Sequence, residues 1–178
     1  MGGVHIPEEG LTMDEIIDVE YTPKRKSRAG DGGTYLVVAD DTDEFKIALR
    51  YACEMAKNRR ARVGILRIVE DQDFQHWGAV EQRMKKELRE QAEKYLWSVA
   101  KAANELNGTM PSLYIAEGDK GEAVLQTIDA DEYIIQLVLG GGVEHSTPGP
   151  LVSFCVGKGL GRLKVPVVVV PGHIKEFS

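Results

Sequence analysis

The sequence predicts an α/β fold built on a single parallel sheet. Short apolar runs, which fit strands buried on both faces, alternate with segments whose apolar residues recur every three or four positions, as they do on one face of a helix. The alternation continues through five predicted strands, and no two of them are joined by the short glycine or asparagine turn of a hairpin. This order favours parallel neighbours that are connected through covering helices.

The first two predicted strands and the helix between them begin the regular part of the chain. Tyr35–Ala39 is a continuous apolar run that fits a strand, and Arg62–Val69 is predicted as the second strand. The helix between them is predicted to bury Phe45, Ala48, Leu49, Ala52 and Ala56. Asp41 or Thr42 can cap its first turn, and Asp41 and Glu44 have the spacing of a capping box.

The second helix has the most regular pattern in the chain. Its apolar residues are Val80, Met84, Leu88, Ala92, Tyr95, Leu96, Val99, Ala103 and Leu106. Charged residues fill the remaining positions, and Asn107 with Gly108 supplies the stop signal. Ser112–Ala116 is then predicted as the third strand, followed by a short helix through Ala123 and Ile128.

The last third of the chain combines a strand with glycines. The fourth predicted strand, Tyr133–Leu139, runs into Gly140–Gly142, a turn at which a backbone can approach a phosphate without a Cβ in the way. Segment 156–161 contains three alternate glycines, which predicts a short or broken helix. Pro166–Val170 is the fifth predicted strand.

Composition restricts the class of protein. A formal net charge of −6 argues against a nucleic-acid partner, and no apolar run approaches the length of a membrane span. The two cysteines, Cys53 and Cys155, lie in apolar helical patterns and are predicted to be buried, and the four histidines lack ligand spacing. We therefore expect a cytoplasmic protein with no metal site and no secretory signal.

Residues 1–33 are predicted to be a flexible N-terminal extension, and residues 34–178 a single domain. The extension is rich in glycine, proline and charge, and it includes the basic cluster Lys24–Arg28. Such a cluster is typical of a solvated tail, while a docking or targeting patch remains the alternative.

Four motifs lie in order on these elements. The first strand and its helix carry Val38-Ala39-Asp40-Asp41-Thr42 and Ala48-Leu49-Arg50-Tyr51-Ala52. The later two are Glu117-Gly118-Asp119 and Val165-Pro166-Val167-Val168-Val169-Val170. With these motifs in this order, the sequence resembles the universal stress protein family over about residues 34–172. The resemblance implies a doubly wound five-stranded parallel sheet in the order 3-2-1-4-5, the fold shared with the adenine nucleotide alpha hydrolases.

The resemblance also implies where an adenine nucleotide such as ATP or AMP would bind. Its positions here are Asp40, Thr42, Val69, Gly140, Gly141, Gly142 and Ser153. Asp40 would meet the adenine edge or a ribose hydroxyl. The nucleotide-binding members have the pattern Gly-x2-Gly-x9-Gly-Ser/Thr, but counting from Gly140 puts Val143, Ser153 and Phe154 at the later positions. Only the first position matches, so the phosphate site is expected to be degenerate.

No catalytic group is predicted. A catalytic triad could be assembled from Ser146, Ser153, His145 and His173, but nothing in their spacing requires one, and the Gly-x-Ser-x-Gly elbow is absent. The expected function is a non-catalytic stress-response or regulatory protein. An adenine-nucleotide-binding signalling domain, with weak ATPase activity left open, is the first alternative. A small-molecule hydrolase on the same fold is the second.

The closing strand suggests an assembly. Val167, Val168, Val169 and Val170 are all β-branched, and the strand lies at the end of the implied order. A bare apolar edge invites pairing, and this strand commonly forms the dimer contact in the family. We therefore expect a homodimer, with an unidentified protein partner also possible. Coverage of the edge by the N-terminal tail is the alternative.

Overall fold

The computed structural model describes residues 32–70, 78–142, 148–174 and 176–177. The elements are β1 (Thr34–Ala39), α1 (Asp43–Arg59), β2 (Arg62–Val69), α2 (Gly78–Asn107), β3 (Ser112–Glu117), α3 (Lys120–Ala130), β4 (Ile134–Gly141), α4 (Pro150–Val156) and β5 (Val167–Pro171). A 3-10 turn, Leu160–Arg162, lies between α4 and β5. The predicted basic cluster and most of the predicted extension fall outside the described residues. Gly32 and Gly33 are described, and the Gly32 amide donates to the Arg60 carbonyl at 3.1 Å.

The strands form one five-stranded sheet in the order β3-β2-β1-β4-β5, with every neighbouring pair parallel. This confirms the predicted fold class and strand order. Alternate residues of each strand enter two cores. Val37 packs with residues of α1 and α2, while Leu36 packs with residues of α3 and α4. The sheet is therefore covered by helices on both faces.

Glycines end or interrupt the helices where the sequence indicates. Gly108, at a φ of +75°, follows the last residue of α2, and its amide donates to the Asn104 carbonyl at 2.8 Å. The glycine-rich segment after α4 contains only the 3-10 turn, as the alternate glycines predict. Met84 and Leu106, in the predicted apolar stripe of α2, are exposed by 37% and 47% and do not contribute to the core.

The prediction of a turn at Gly140–Gly142 is wrong for Gly140 and Gly141. Gly140 and Gly141 continue β4 and pair with Val170 and Pro171 of β5. The additional pairs extend the sheet beyond Leu139, where the apolar run ends, so the polarity pattern did not show the true end of the strand. Pro171 ends the edge strand, a position where a missing N–H is tolerated.

Both cysteines are free and buried, as predicted, with one in each core. Burial raises the pKa of each thiol to about 11. Cys53 and Cys155 therefore pack as small hydrophobic side chains. None of the helices in the described part of the chain is long and apolar enough to cross a bilayer.

Candidate functional site

A cleft of about 370 Å³ lies at the carboxyl ends of the strands, between β1 and β4. We call it the strand-end cleft. It is lined by residues 38–42, 45, 67, 68, 70, 120, 139, 140 and 148–152. The sheet is built outward from β1 in both directions, so the chain connections diverge at this point. Such a switch point is the usual ligand position in open α/β sheets.

A hydrogen-bonded turn forms one wall of the strand-end cleft. Oδ1 of Asp40 accepts from the backbone N–H and from the hydroxyl of Thr42. Thr42 in turn caps α1, and its Oγ1 accepts from the Phe45 N–H at 3.2 Å. The capping prediction is thus confirmed for Thr42. The Asp41–Glu44 capping box is wrong, because the helix begins one residue later than that box requires.

Arg67, at the end of β2, is held by three contacts. Its guanidinium donates to the Ala39 carbonyl at 3.1 Å and to the Asp41 carboxylate at 3.1 Å, and it lies 4.6 Å from the centre of the Tyr95 ring. The Tyr95 hydroxyl donates to the Asp40 carbonyl at 2.6 Å. Burial, and next the negative charge of Asp41, raise the pKa of Tyr95, so this hydroxyl stays a donor at neutral pH.

The charges of the strand-end cleft are largely paired. Lys120, from α3, lies 2.8 Å from a carboxylate oxygen of Glu70, and Arg67 is paired with Asp41. Asp40 is the remaining charged side chain among the described lining residues, and no described residue donates to its Oδ2. The described cleft therefore has two compensated cations and one additional carboxylate.

Close packing against α1 or β5 requires glycine at two of the three predicted positions, Gly140 and Gly141. A Cβ on Gly140 would come within 2.5 Å of the Glu44 carbonyl carbon, and one on Gly172 within 2.9 Å of the Glu44 side chain. Gly141 faces Val169 in the same way, also at 2.9 Å. Gly142 meets only a Glu44 carboxylate oxygen, at 3.6 Å. Of these glycines, Gly140 alone lines the strand-end cleft.

The predicted nucleotide positions are divided among three surfaces. Asp40, Thr42 and Gly140 line the strand-end cleft. Val69 lines a second cleft of about 350 Å³ between the end of β2 and α2, which we call the helix-side cleft. Ser153 is exposed on α4 and lines a third, open groove with Lys158. Gly141 and Gly142 line none of the three.

Phe154 occupies the position where the nucleotide-binding pattern has a hydroxyl, and here it serves packing. A Cβ on Gly121 would lie 2.7 Å from its ring, and one on Gly159 would lie 2.5 Å away. The ring therefore fills the space between α3 and the segment after α4. Val143, at the second glycine position of the pattern, lies outside the described residues.

Sequence reasoning missed Arg67, Lys120, Glu70 and Tyr95, the charged and aromatic residues that fix the strand-end cleft. Arg67 carried a usable signal, because it is a charged residue between the apolar residues of β2, whereas the other arginine, Arg62, is the first residue of the strand. A charge inside a buried strand requires partners, and those partners are Asp41 and a strand-end carbonyl. The ion pair of Lys120 with Glu70 left no comparable trace in the sequence.

No cluster of three metal-ligating side chains occurs within the described ranges. Of the four residues considered for a triad, His145 and Ser146 lie outside the described residues. Ser153 is exposed on α4, and His173 is exposed after β5.

The fold and the cleft define a doubly wound α/β protein with a candidate ligand site at its switch point. The sequence model of the universal stress protein family matches residues 34–171. The chain belongs to the universal stress protein family. None of the curated proteins shows significant sequence similarity to it.

Solved structures of family members share the fold at low sequence identity. The universal stress protein UspA of Lactobacillus plantarum is 18% identical, with a TM-score of 0.64 over 79% of this chain and 98% of that one. A universal stress protein of Archaeoglobus fulgidus is 15% identical, with a TM-score of 0.57 over 77% and 92%. An Arabidopsis thaliana family member solved with AMP bound is 16% identical, with a TM-score of 0.53 over 77% and 91%.

Proposed function

We propose that this chain is a non-catalytic, cytoplasmic stress-response or regulatory protein that acts as a homodimer and whose strand-end cleft does not hold ATP. The observation that carries the proposal is the paired charge of the cleft. Arg67 and Lys120 are its only cations among the described lining residues, and each is within 3.1 Å of a carboxylate oxygen. A triphosphate needs cations, backbone amides or a metal ion, and it is repelled by carboxylates.

The glycines support the same conclusion. A phosphate cradle needs backbone N–H groups that point into an open turn. Gly140 and Gly141 are instead strand residues, and the Gly141 carbonyl accepts from the Gly172 N–H at 2.9 Å within the sheet. Their lack of a Cβ accommodates Glu44 and Val169.

Isothermal titration with ATP, AMP and adenosine tests the proposal, both with and without Mg²⁺. We expect no heat of ATP binding at micromolar concentrations and no release of phosphate from ATP above the rate in buffer. Micromolar ATP affinity would overturn the proposal, as would hydrolysis that is proportional to protein concentration.

The second candidate function is an adenine-nucleotide-binding signalling domain. Two observations favour it: Asp40 has an Oδ2 with no described donor, and the Arabidopsis relative was solved with AMP. Asp40→Asn is the informative variant, since the remaining amide oxygen still accepts from Thr42 while the charge is removed. If AMP binds to the wild-type protein, a loss of roughly tenfold in Asp40→Asn would support a direct contact with a ribose hydroxyl or an amino group.

The dimer rests on the open edge of β5. The Leu137 N–H donates to the Pro166 carbonyl and the Gly172 N–H donates to the Gly141 carbonyl, so even-numbered residues of this strand face β4. The backbone groups of Val167 and Val169 consequently face away from the sheet. A second copy of β5 can pair with them.

Val169→Pro removes one outward N–H and leaves the β4–β5 pairing intact. We expect the wild-type protein and the control Val169→Ala to have the mass of a dimer in light scattering, and Val169→Pro to have the mass of a monomer. A wild-type monomer at high concentration would contradict this assembly.

A further inference from the structure

Arg67 lines two neighbouring clefts. The strand-end cleft and the helix-side cleft share the lining residues Arg67, Ile68 and Glu70. Asp40 lines only the strand-end cleft, and Val69 lines only the helix-side cleft. A ligand that reached from Asp40 to Val69 would therefore meet the residues that both clefts share, and Arg67 is one of them.

The guanidinium is anchored on three sides. It binds a backbone carbonyl of β1 and a carboxylate that follows β1, and it covers the face of an aromatic ring of α2. The side chain of Arg67 is only 24% exposed, whereas that of its partner Asp41 is 74% exposed. The ion pair is therefore open to solvent on the Asp41 side.

Each cleft alone is at the lower end of the size range of small-molecule sites, which is about 300–1,000 Å³. The strand-end cleft measures about 370 Å³ and the helix-side cleft about 350 Å³. If the guanidinium were absent, the two clefts would join beside Ile68 and Glu70, the other lining residues that they share. The joined site would have the Asp40 carboxylate, whose Oδ2 has no described donor, at one end and the freed face of the Tyr95 ring at the other.

We propose that Arg67 is the residue that determines ligand access in this protein, and that it excludes nucleosides by occupying the ring face and the space that they need. The chemistry of the joined site defines the class of ligand. An aromatic base can stack on Tyr95, beside the apolar side chains of Leu88 and Ala92, while ribose hydroxyls donate to Asp40. The inference rests on the proposed function, since it explains why the closed cleft holds no nucleotide.

Titration of adenosine into Arg67→Ala and Arg67→Met tests the inference. Both variants remove the guanidinium, and the methionine retains an apolar stem beside Tyr95. Arg83→Ala is the matched control, because it removes an arginine that is 83% exposed and paired with Glu87 on α2. We expect both Arg67 variants to bind adenosine roughly tenfold more tightly than the wild-type protein, because stacking one base on an aromatic ring contributes about this much to affinity. Arg83→Ala should match the wild-type protein.

A third variant retains the Arg67 guanidinium but removes the carboxylate that holds it. Asp41→Ala removes the carboxylate partner, so Arg67 can move and can reach a phosphate. Its adenosine affinity should rise less than that of Arg67→Ala, and its AMP affinity should rise more than its adenosine affinity. Circular dichroism and thermal unfolding establish that each variant is folded, and Arg67→Met or Asp41→Ala decides the result if Arg67→Ala does not fold.

The inference is overturned if the folded Arg67 variants and Asp41→Ala all bind adenosine with wild-type affinity. It is also overturned if Arg83→Ala shows the same gain as Arg67→Ala. Its failure is distinguishable from failure of the proposed function, which is decided by ATP binding to the wild-type protein alone. The role of Arg67 is decided by the ratio of variant to wild-type affinity.

Discussion

The first turn of α1 is held differently by the two strands beside it. At the end of β1 the contact is polar: Asp40 organises the turn, and Thr42 caps the helix. At the end of β4 the contact is steric, since Gly140 lies directly against the Glu44 carbonyl. The polar side leaves the Oδ2 of Asp40 without a described donor, whereas on the glycine side Gly140 and Gly141 are strand residues that lie against Glu44 and Val169. A glycine at a switch point is thus evidence for a close approach, and here the approaching group is the protein's own helix.

Gly140→Ala should disrupt the close contact between β4 and α1, and it should cause the largest loss of stability among these variants. The new Cβ would lie within 2.5 Å of the backbone of Glu44, and backbone atoms cannot yield as a flexible side chain would. We expect a loss of about 3 kcal/mol in the free energy of unfolding, the upper part of the range for overpacked cores. Urea denaturation followed by circular dichroism measures it.

The matched control is Gly142→Ala, two residues along the same strand end. Its Cβ would meet only a carboxylate oxygen at 3.6 Å, an ordinary contact distance. Its free energy of unfolding should stay within about 0.5 kcal/mol of the wild-type value. Equal losses in the two variants would show that the glycines are required for some reason other than the contact with Glu44.

The same contrast explains what the sequence could predict. Strands, helices and their order follow from local patterns, because buried parallel strands and amphipathic helices have different periods. The N-cap at Thr42 and the stop at Gly108 are equally local. The turn predicted at Gly140–Gly142 failed because the requirement for glycine comes from Glu44, a residue far away in the sequence.

The candidate site was predictable only in part. Topology alone brings Asp40, Thr42 and Gly140 to one cleft, since the ends of adjacent parallel strands meet. The separation of Val69 from this cleft depends on where a single side chain, Arg67, is anchored. The ion pair of Lys120 with Glu70 likewise joins α3 to the end of β2, and no local pattern specifies it.

Thr42→Ala tests the polar side and should have an intermediate effect. It removes the oxygen that accepts from the Phe45 N–H at 3.2 Å and one of the two donors to Asp40. We expect the free energy of unfolding to fall by about 1 kcal/mol, the usual value of an N-cap. Thr127→Ala is the control, because its hydroxyl donates to the Ala123 carbonyl inside α3 and alanine is the better helix former. A loss in Thr127→Ala as large as that in Thr42→Ala would contradict a specific capping role.

Asp41→Ala should have the smallest effect on stability, although it is expected to alter ligand binding. Its carboxylate is 74% exposed, and exposed ion pairs contribute at most about 1 kcal/mol. We expect the free energy of unfolding to fall by less than this amount, and the difference from the wild-type protein to shrink further in 1 M salt, since the pair is screened. As long as no ligand displaces it, Arg67 in this variant can still contact the Ala39 carbonyl and the Tyr95 ring, so the guanidinium does not become a buried, unpaired charge. A loss above about 2 kcal/mol that persisted in salt would mean that Arg67 cannot be released without disrupting the fold. That result would mean that the position of Arg67 is as fixed as that of Gly140. The polar side of the cleft would then be no more adaptable than the glycine side.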